Sequence, residues 1–270
     1  MSVPRCLTIA SSDSGGGAGI QADLKAFAAA GCHGASAIVA LTAQNTTAVT
    51  AVHELPPAFV RAQLDAVFED IGVDAAKTGM LASADLVRAV AAALREAAIA
   101  RLVVDPVLVS KHGSVLLADD AVDALREELL PLATVVTPNL PEAARLVGFD
   151  VADRDAMVAA GRALVAHGPA VAMVKGGHLG GDRSPDCLVV AGAGGPVWLD
   201  GPRHAGRHTH GTGCVLSAAI CAELARGMDP PDACVAARHF CSRAIAAGLP
   251  LGSGVGPVNP GWERAARGST

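Results

Sequence analysis

Five consecutive residues, His210-Gly211-Thr212-Gly213-Cys214, combine two kinds of chemistry in one turn. Gly211 and Gly213 let the backbone turn tightly and leave its N–H groups uncovered. The apolar run that follows (Val215, Leu216, Ala218, Ala219, Ile220) reads as a helix. Uncovered N–H groups at the positive end of a helix attract an anion such as phosphate. Cys214 falls in the first turn, where a thiol's pKa is expected to drop and its basicity to become usable. An anion cradle beside a tuned acid–base group points to phosphoryl transfer. The plainer alternative is a tight loop before a core helix that carries an inert buried cysteine.

Other polar residues stand where short apolar runs end. Asp105 closes Leu102-Val103-Val104, and Glu142 follows Asn139-Leu140-Pro141. Hard carboxylate oxygens of this kind hold Mg²⁺, usually through waters, with substrate phosphates completing the shell. Both are therefore expected to be hydrated carboxylates facing one crevice. The simpler roles are a strand-end turn for Asp105 and a dipole-favoured first-turn charge for Glu142. Lys175, before Gly176-Gly177-His178, is placed to neutralise phosphate, or else is a solvated surface lysine. Gln44 offers both a donor and an acceptor to a heteroaromatic ring edge, or serves as a turn residue beside Asn45. A glycine-rich stretch, Ser12-Asp13-Ser14-Gly15-Gly16-Gly17-Ala18-Gly19, opens a helix and lets backbone approach a ligand. It lacks the Gly-Lys-Ser/Thr ending of a phosphate-binding Walker loop. His178 and His210 are candidates for proton transfer, with hydrogen bonding the commoner role.

The elements that must position these groups alternate along the chain. Leu7-Thr8-Ile9 and residues 36–42, 75–78, 102–104, 135–137, 171–175 and 188–190 read as strands. Residues 19–30, 59–71, 84–97 and 121–130 read as helices, as do the stretches around Cys214 and Cys234. Such alternation implies βαβ units, a mainly parallel sheet and helices on both faces. In that architecture ligands lie beyond the carboxyl ends of the strands, where the polar residues collect. No linker or repeat interrupts the 270 residues, so residues 1–270 are expected to form one domain.

Composition narrows the function further. The chain is 51% hydrophobic with net charge -5, its lysines and arginines are scattered, and aromatics are 3% with no Tyr. It has neither a basic stripe nor stacking platforms for nucleic acid. No apolar run reaches the ~18 residues of a membrane helix. Seven cysteines, none in a CxxC pair, suit core packing better than disulfides or zinc. A cytoplasmic protein without nucleic-acid or membrane partners is expected.

Together these residues resemble the hydroxymethylpyrimidine/phosphomethylpyrimidine kinases, within the ribokinase-like superfamily. The resemblance runs from about Leu7 to Pro257. It rests on Ser12 through Lys25 of the glycine-rich segment, Thr42-Ala43-Gln44-Asn45-Thr46, Lys77-Thr78-Gly79-Met80-Leu81 and Asp105-Pro106-Val107. It continues through Ser110-Lys111-His112-Gly113, Thr137-Pro138-Asn139-Leu140-Pro141-Glu142, Lys175-Gly176-Gly177-His178 and the 210–214 turn. It implies an α/β/α sandwich and an ATP- and Mg²⁺-dependent kinase. That kinase would phosphorylate the hydroxymethyl group of 4-amino-5-hydroxymethyl-2-methylpyrimidine and then the monophosphate. It implies that Asp23, Gln44, Met80 and Val107 line the pyrimidine pocket. Gly211, Thr212 and Gly213 would form the anion hole with Cys214 as base, and Asp105 and Glu142 would serve the metal. Asn139 and Lys175 would lie on the nucleotide side, and the enzyme would be a homo-oligomer, a dimer.

The chain departs from the family pattern at Ser11, where Gly is usual, at His208, where Asn is common, and at Gly206, where Thr is usual. The alternatives are a pyridoxal kinase of the same superfamily and a catalytically silent ligand-binding relative. Intact Asp105, Glu142, Lys175 and Cys214 argue against silence.

Overall fold

The computed structural model describes residues 3–108 and 119–263. The Ser110-Lys111-His112-Gly113 motif lies outside them. Nine strands form one sheet: β1 (Arg5–Asp13), β2 (His33–Gln44), β3 (Val49–Glu54), β4 (Ala75–Thr78), β5 (Leu102–Val104), β6 (Val135–Val136), β7 (Val171–Val174), β8 (Asp186–Val190) and β9 (Val197–Leu199). Their spatial order is β3-β2-β1-β4-β5-β6-β7-β8-β9. The strands from β2 to β7 run parallel, and β3, β8 and β9 add antiparallel edges. The expected mainly parallel sheet is present, but residues 188–190 pair antiparallel, and β3 and β9 extend the sheet beyond the expected strands.

Eight α-helices among the described residues cover the sheet: α1 (Gly19–Ala29), α2 (Pro57–Ala66), α3 (Ala84–Glu96), α4 (Asp119–Ala124), α5 (Leu140–Val147), α6 (Arg154–Ala166), α7 (Thr212–Ala225) and α8 (Pro230–Ala246). Alternation along each strand sorts its side chains between two apolar layers. Leu102 and Val104 join the layer beneath α2 to α6, whereas Val103 joins the one beneath α1, α7 and α8. Cys221, Cys234 and Cys241 are buried in the second layer, and all seven cysteines are free thiols. The result is a three-layer α/β/α sandwich.

Two local devices aim residues at the carboxyl edge. The β1–β2 register shifts between Ala10 and Ser12, which re-aims the end of β1 at Asp13. Gly211, at φ 79°, caps α7 in the left-handed region. A Cβ there would run into the carbonyl oxygen of Gly17, so the two glycine turns abut backbone to backbone.

Candidate active site

The carboxyl ends of β1, β4, β5 and β7 and the start of α7 surround a cavity of about 680 Å³. Asp105, Lys175 and Glu142 meet on one wall. Lys175 Nζ lies 3.1 Å from Asp105 Oδ1 and 4.0 Å from Glu142 Oε2. Thr137 and Ser217 donate hydroxyl hydrogen bonds to Asp105 at 3.1 and 3.3 Å. Glu142 is also the capping partner of α5: it accepts from the Asn139 N–H at 2.8 Å, while Asn139 Oδ1 accepts from the Glu142 N–H at 2.9 Å. Glu142 thus caps α5 and faces the cavity at once.

Both carboxylates were expected to be hydrated; they are buried, at 2% and 4% exposure, and share one ammonium. Burial pushes the Glu142 carboxyl up to about 7, with Asp105 adding to the rise and Lys175 opposing it. Burial acts the same way on Asp105, but Lys175 and Lys77 hold it below the usual carboxylate range. Lys175 stays above the ordinary lysine range: burial disfavours its charge, and the two carboxylates outweigh that. Two hard carboxylates that already hold one cation are a donor set that suits a divalent metal.

The turn 211–213 faces this trio. A Cβ on Gly213 would sit 3.4 Å from Lys175 Nζ and 3.5 Å from Asp105 Oδ2. Cys214 follows on the same cavity wall, half-buried. Its expected low pKa is not found. Burial pushes the thiol up to about 12, more than Lys77 and the Gly19 N–H pull it down, and Asp23 and Asp105 add to the rise. The helix-terminus argument fails because desolvation of this half-buried thiol outweighs the groups that favour its thiolate.

Gln44, Met80 and Val107 line the same cavity, as does Asn139. Asp23 does not. It is fully buried beneath the wall, with Lys77 Nζ 3.1 Å from each carboxylate oxygen and the Thr8 hydroxyl donating at 2.6 Å. Lys77, by contrast, is on the cavity lining. The family resemblance implied a place for Asp23 on the pocket. One helical turn into α1, however, its side chain faces the sheet, where Lys77 and Thr8 satisfy it.

The glycine-rich turn also differs from expectation. Its N–H groups are occupied: Gly15, Gly17 and Ala18 donate to the Asp13 carboxylate at 2.8, 3.0 and 2.9 Å. His210 Nε2 lies 3.0 Å from the same carboxylate. Ser14 donates to the Gln44 carbonyl at 2.7 Å. Ser11, a departure from the family pattern, is 8% exposed and lies on the cavity lining.

Three wall residues escaped the sequence reading. Asp186 accepts from the Gly176 N–H at 2.9 Å and from Arg238 at 2.5 Å, and both side chains line the cavity. Arg203 donates to the carbonyls of Gly177, Leu179 and Gly181 and so braces the turn after Lys175. The only sequence signal was the glycine density at 176–181, which requires something to hold it.

A mainly parallel α/β/α sandwich whose strand ends gather the 211–213 glycine turn, two carboxylates and a lysine is the arrangement of a ribokinase-like kinase. The chain belongs to the phosphomethylpyrimidine kinase family, whose profile matches residues 13–259. A hydroxymethylpyrimidine/phosphomethylpyrimidine kinase of Streptomyces coelicolor is 52% identical over 259 residues, covering 96% of this chain and 95% of that protein. One from Mycobacterium leprae is 47% identical, covering 96% and 95%. Among solved structures, a Bacillus subtilis pyridoxal kinase in complex with ADP superposes with TM-score 0.91 at 38% identity, covering 97% and 99%. A phosphomethylpyrimidine kinase from Clostridium difficile superposes with TM-score 0.79 at 39% identity, covering 90% and 100%.

Proposed function

We propose that this kinase transfers the γ-phosphoryl group of ATP to 4-amino-5-hydroxymethyl-2-methylpyrimidine and then to the monophosphate, giving the diphosphate for thiamine biosynthesis. The observation that carries the reading is the placement of Cys214 and the 211–213 turn on one cavity with Gln44, Met80 and Val107. The 52% identity to a relative of that name supports it. We place the reaction in the cytoplasm and the enzyme as a homodimer. No helix among the described residues is long and apolar enough to cross a membrane.

The chain's residues divide the work. Met80 and Val107 pack against the ring and Gln44 meets its edge. The N–H groups of Gly211, Thr212 and Gly213 receive the charge that develops on the transferred phosphoryl group. Lys175 leaves its carboxylate partners for the phosphates, and Asn139 stands beside them. Asp105 and Glu142 would then hold Mg²⁺, which when bound supplies neutralising charge to the phosphates.

In the first transfer the small thiolate fraction of Cys214 takes the alcohol proton and becomes the thiol. In the second, the nucleophile is a phosphate oxygen whose second pKa is ~6, so it is already ionised and needs no base. A fixed carboxylate at position 214 would repel that anion. A thiol that burial holds neutral does not.

The runner-up is pyridoxal, another hydroxymethyl heteroaromatic, favoured by the close superposition on pyridoxal kinases. The deciding experiment presents purified protein and ATP with the hydroxymethylpyrimidine, its monophosphate and pyridoxal side by side. The reading expects the highest kcat/KM for the two pyrimidines. A preference for pyridoxal would install the runner-up, and no phosphorylated product from any of them would mark a silent relative.

A further inference from the structure

Lys175 follows the last residue of β7, and two hydrogen bonds hold the backbone there. Its own N–H donates to the Pro138 carbonyl at 2.8 Å, which continues the pairing of β7 with the β6 side. The next N–H, that of Gly176, is held differently. β7 pairs antiparallel with β8 as far as Val174 and Cys187. Beyond that point the chains press together, and a Cβ on Gly176 would overlap the Pro185 carbonyl oxygen. The Gly176 N–H goes instead to the Asp186 carboxylate at 2.9 Å. The placement of Lys175 therefore depends on where a side chain stands.

That side chain is itself anchored. Asp186 is buried, and its other oxygen accepts from Arg238 Nε at 2.5 Å, the cation that a buried carboxylate requires. Arg238 belongs to α8 and also donates to the Ser184 carbonyl at 2.9 Å. Gly201 makes room for the guanidinium, since a Cβ there would come within 2.7 Å of Nη2. Three residues along α8, Cys241 Sγ lies 3.5 Å from the Thr212 carbonyl. Residues three apart share a helix face, so one face of α8 braces both the turn after Lys175 and the 211–213 turn. Those two turns stand close: only 3.4 Å would separate a Cβ on Gly213 from Lys175 Nζ.

We propose that Asp186 and Arg238 are positioning residues: they tie the Gly176 turn to α8 and so fix the Lys175 ammonium against the 211–213 turn, where the phosphoryl group passes. This deepens the functional reading above and rests on it, since there Lys175 is the group that meets the phosphates.

The test is a double-mutant cycle on kcat, read as radiolabelled phosphate transferred from ATP to saturating pyrimidine. Asp186→Ala should lower kcat for both transfers by ~10- to 100-fold, the upper end being the cost of a misplacement of about 1 Å. KM for the pyrimidine should stay near the wild-type value, because Gln44, Met80 and Val107 stand at the ends of β2, β4 and β5. In a Lys175→Met background the same change should move kcat by no more than about twofold, because the group it positions is gone. A merely structural residue would cost the same factor in both backgrounds. Arg238→Leu should lose kcat as Asp186→Ala does, and Arg238→Lys, which keeps a cation beside Asp186, should recover most of it. Wild-type kcat in Asp186→Ala, equal losses in the two backgrounds, or equal rates for Arg238→Leu and Arg238→Lys overturns the proposal. Where Asp186→Ala does not fold, Asp186→Asn carries the same cycle, since its single oxygen serves Gly176 or Arg238 but not both. Failure of the functional reading is a separate outcome, in which wild type phosphorylates neither the hydroxymethylpyrimidine nor its monophosphate. The cycle then runs with pyridoxal as acceptor under the same criteria, and a wild type that yields no product there either overturns the proposal as well.

Discussion

Lys77 Nζ lies 3.1 Å from both carboxylate oxygens of Asp23, and both side chains are fully shielded from solvent. The pair joins β4 to α1 directly beneath the cavity. Burial alone would lower the Lys77 pKa, but Asp23, Cys214 and Asp105 hold it above the ordinary lysine range. Removing one partner strands a buried charge, which costs on the order of 3–5 kcal/mol. Lys77→Met should therefore lower unfolding stability by about that amount in urea titration. The double variant Asp23→Leu with Lys77→Met should recover most of it, because an apolar pair replaces the ions. A Lys77→Met protein as stable as wild type would show that Asp23 takes up a proton at little cost.

Asp105 and Glu142 carry a combined prediction, because each is both a buried partner of Lys175 and a candidate metal ligand. Asp105→Asn should lower turnover and raise the Mg²⁺ concentration needed for half-maximal rate. It should also destabilise the chain by roughly 3 kcal/mol, since Lys175 is left with the more distant carboxylate. Glu142→Gln should act on Mg²⁺ in the same sense but cost less stability, because at neutral pH its carboxyl is already partly protonated. Titrating Mg²⁺ and denaturant on both variants checks this. Wild-type activity across the Mg²⁺ series would remove that residue from the metal site.

Strand ends and helix starts were legible where local chemistry and tertiary demand agree. Leu102-Val103-Val104 before Asp105, and the 210–214 turn before an apolar run, each announce their place by composition. The antiparallel edges were not legible. β3 is largely exposed on both faces, so it has no buried alternation to read, and β9 is three residues long. α6 carried a signal that went unread, an Asp153 cap whose side chain accepts from the Ala156 N–H. A place on the cavity wall was legible for groups that end strands. It was not for Asp23, whose helical phase turns it toward Lys77, a partner 54 residues away that sequence spacing does not reveal.

The thiol of Cys214 offers a direct measurement. Burial pushes it up to about 12, and a group below its pKa gains thiolate tenfold per pH unit. Iodoacetamide labelling of Cys214, followed by mass spectrometry of its peptide, should be slow at pH 7 and rise about tenfold per unit to pH 9 without levelling. A plateau near pH 7 would restore the low-pKa thiolate that the helix terminus alone suggests.

The last prediction separates the two transfers. In the first, an alcohol must lose its proton, and the proposed acceptor is the Cys214 thiolate; in the second, the phosphate oxygen is already ionised above ~6. A positioned base contributes roughly 10²- to 10⁴-fold. Cys214→Ala should therefore cut kcat for the hydroxymethylpyrimidine by that range and kcat for the monophosphate by far less. The pH dependence should divide the same way. With a thiol held up to about 12, the usable base grows as pH rises, so the first-step rate of wild type should climb from pH 7 to 9. The second step should stay flat over that range, and the slope of the first should vanish in Cys214→Ala. Rapid-quench measurement of each step with its own substrate reads both points. Equal losses in the two steps, with parallel pH profiles, would move Cys214 from base to a member of the anion turn that serves both transfers alike.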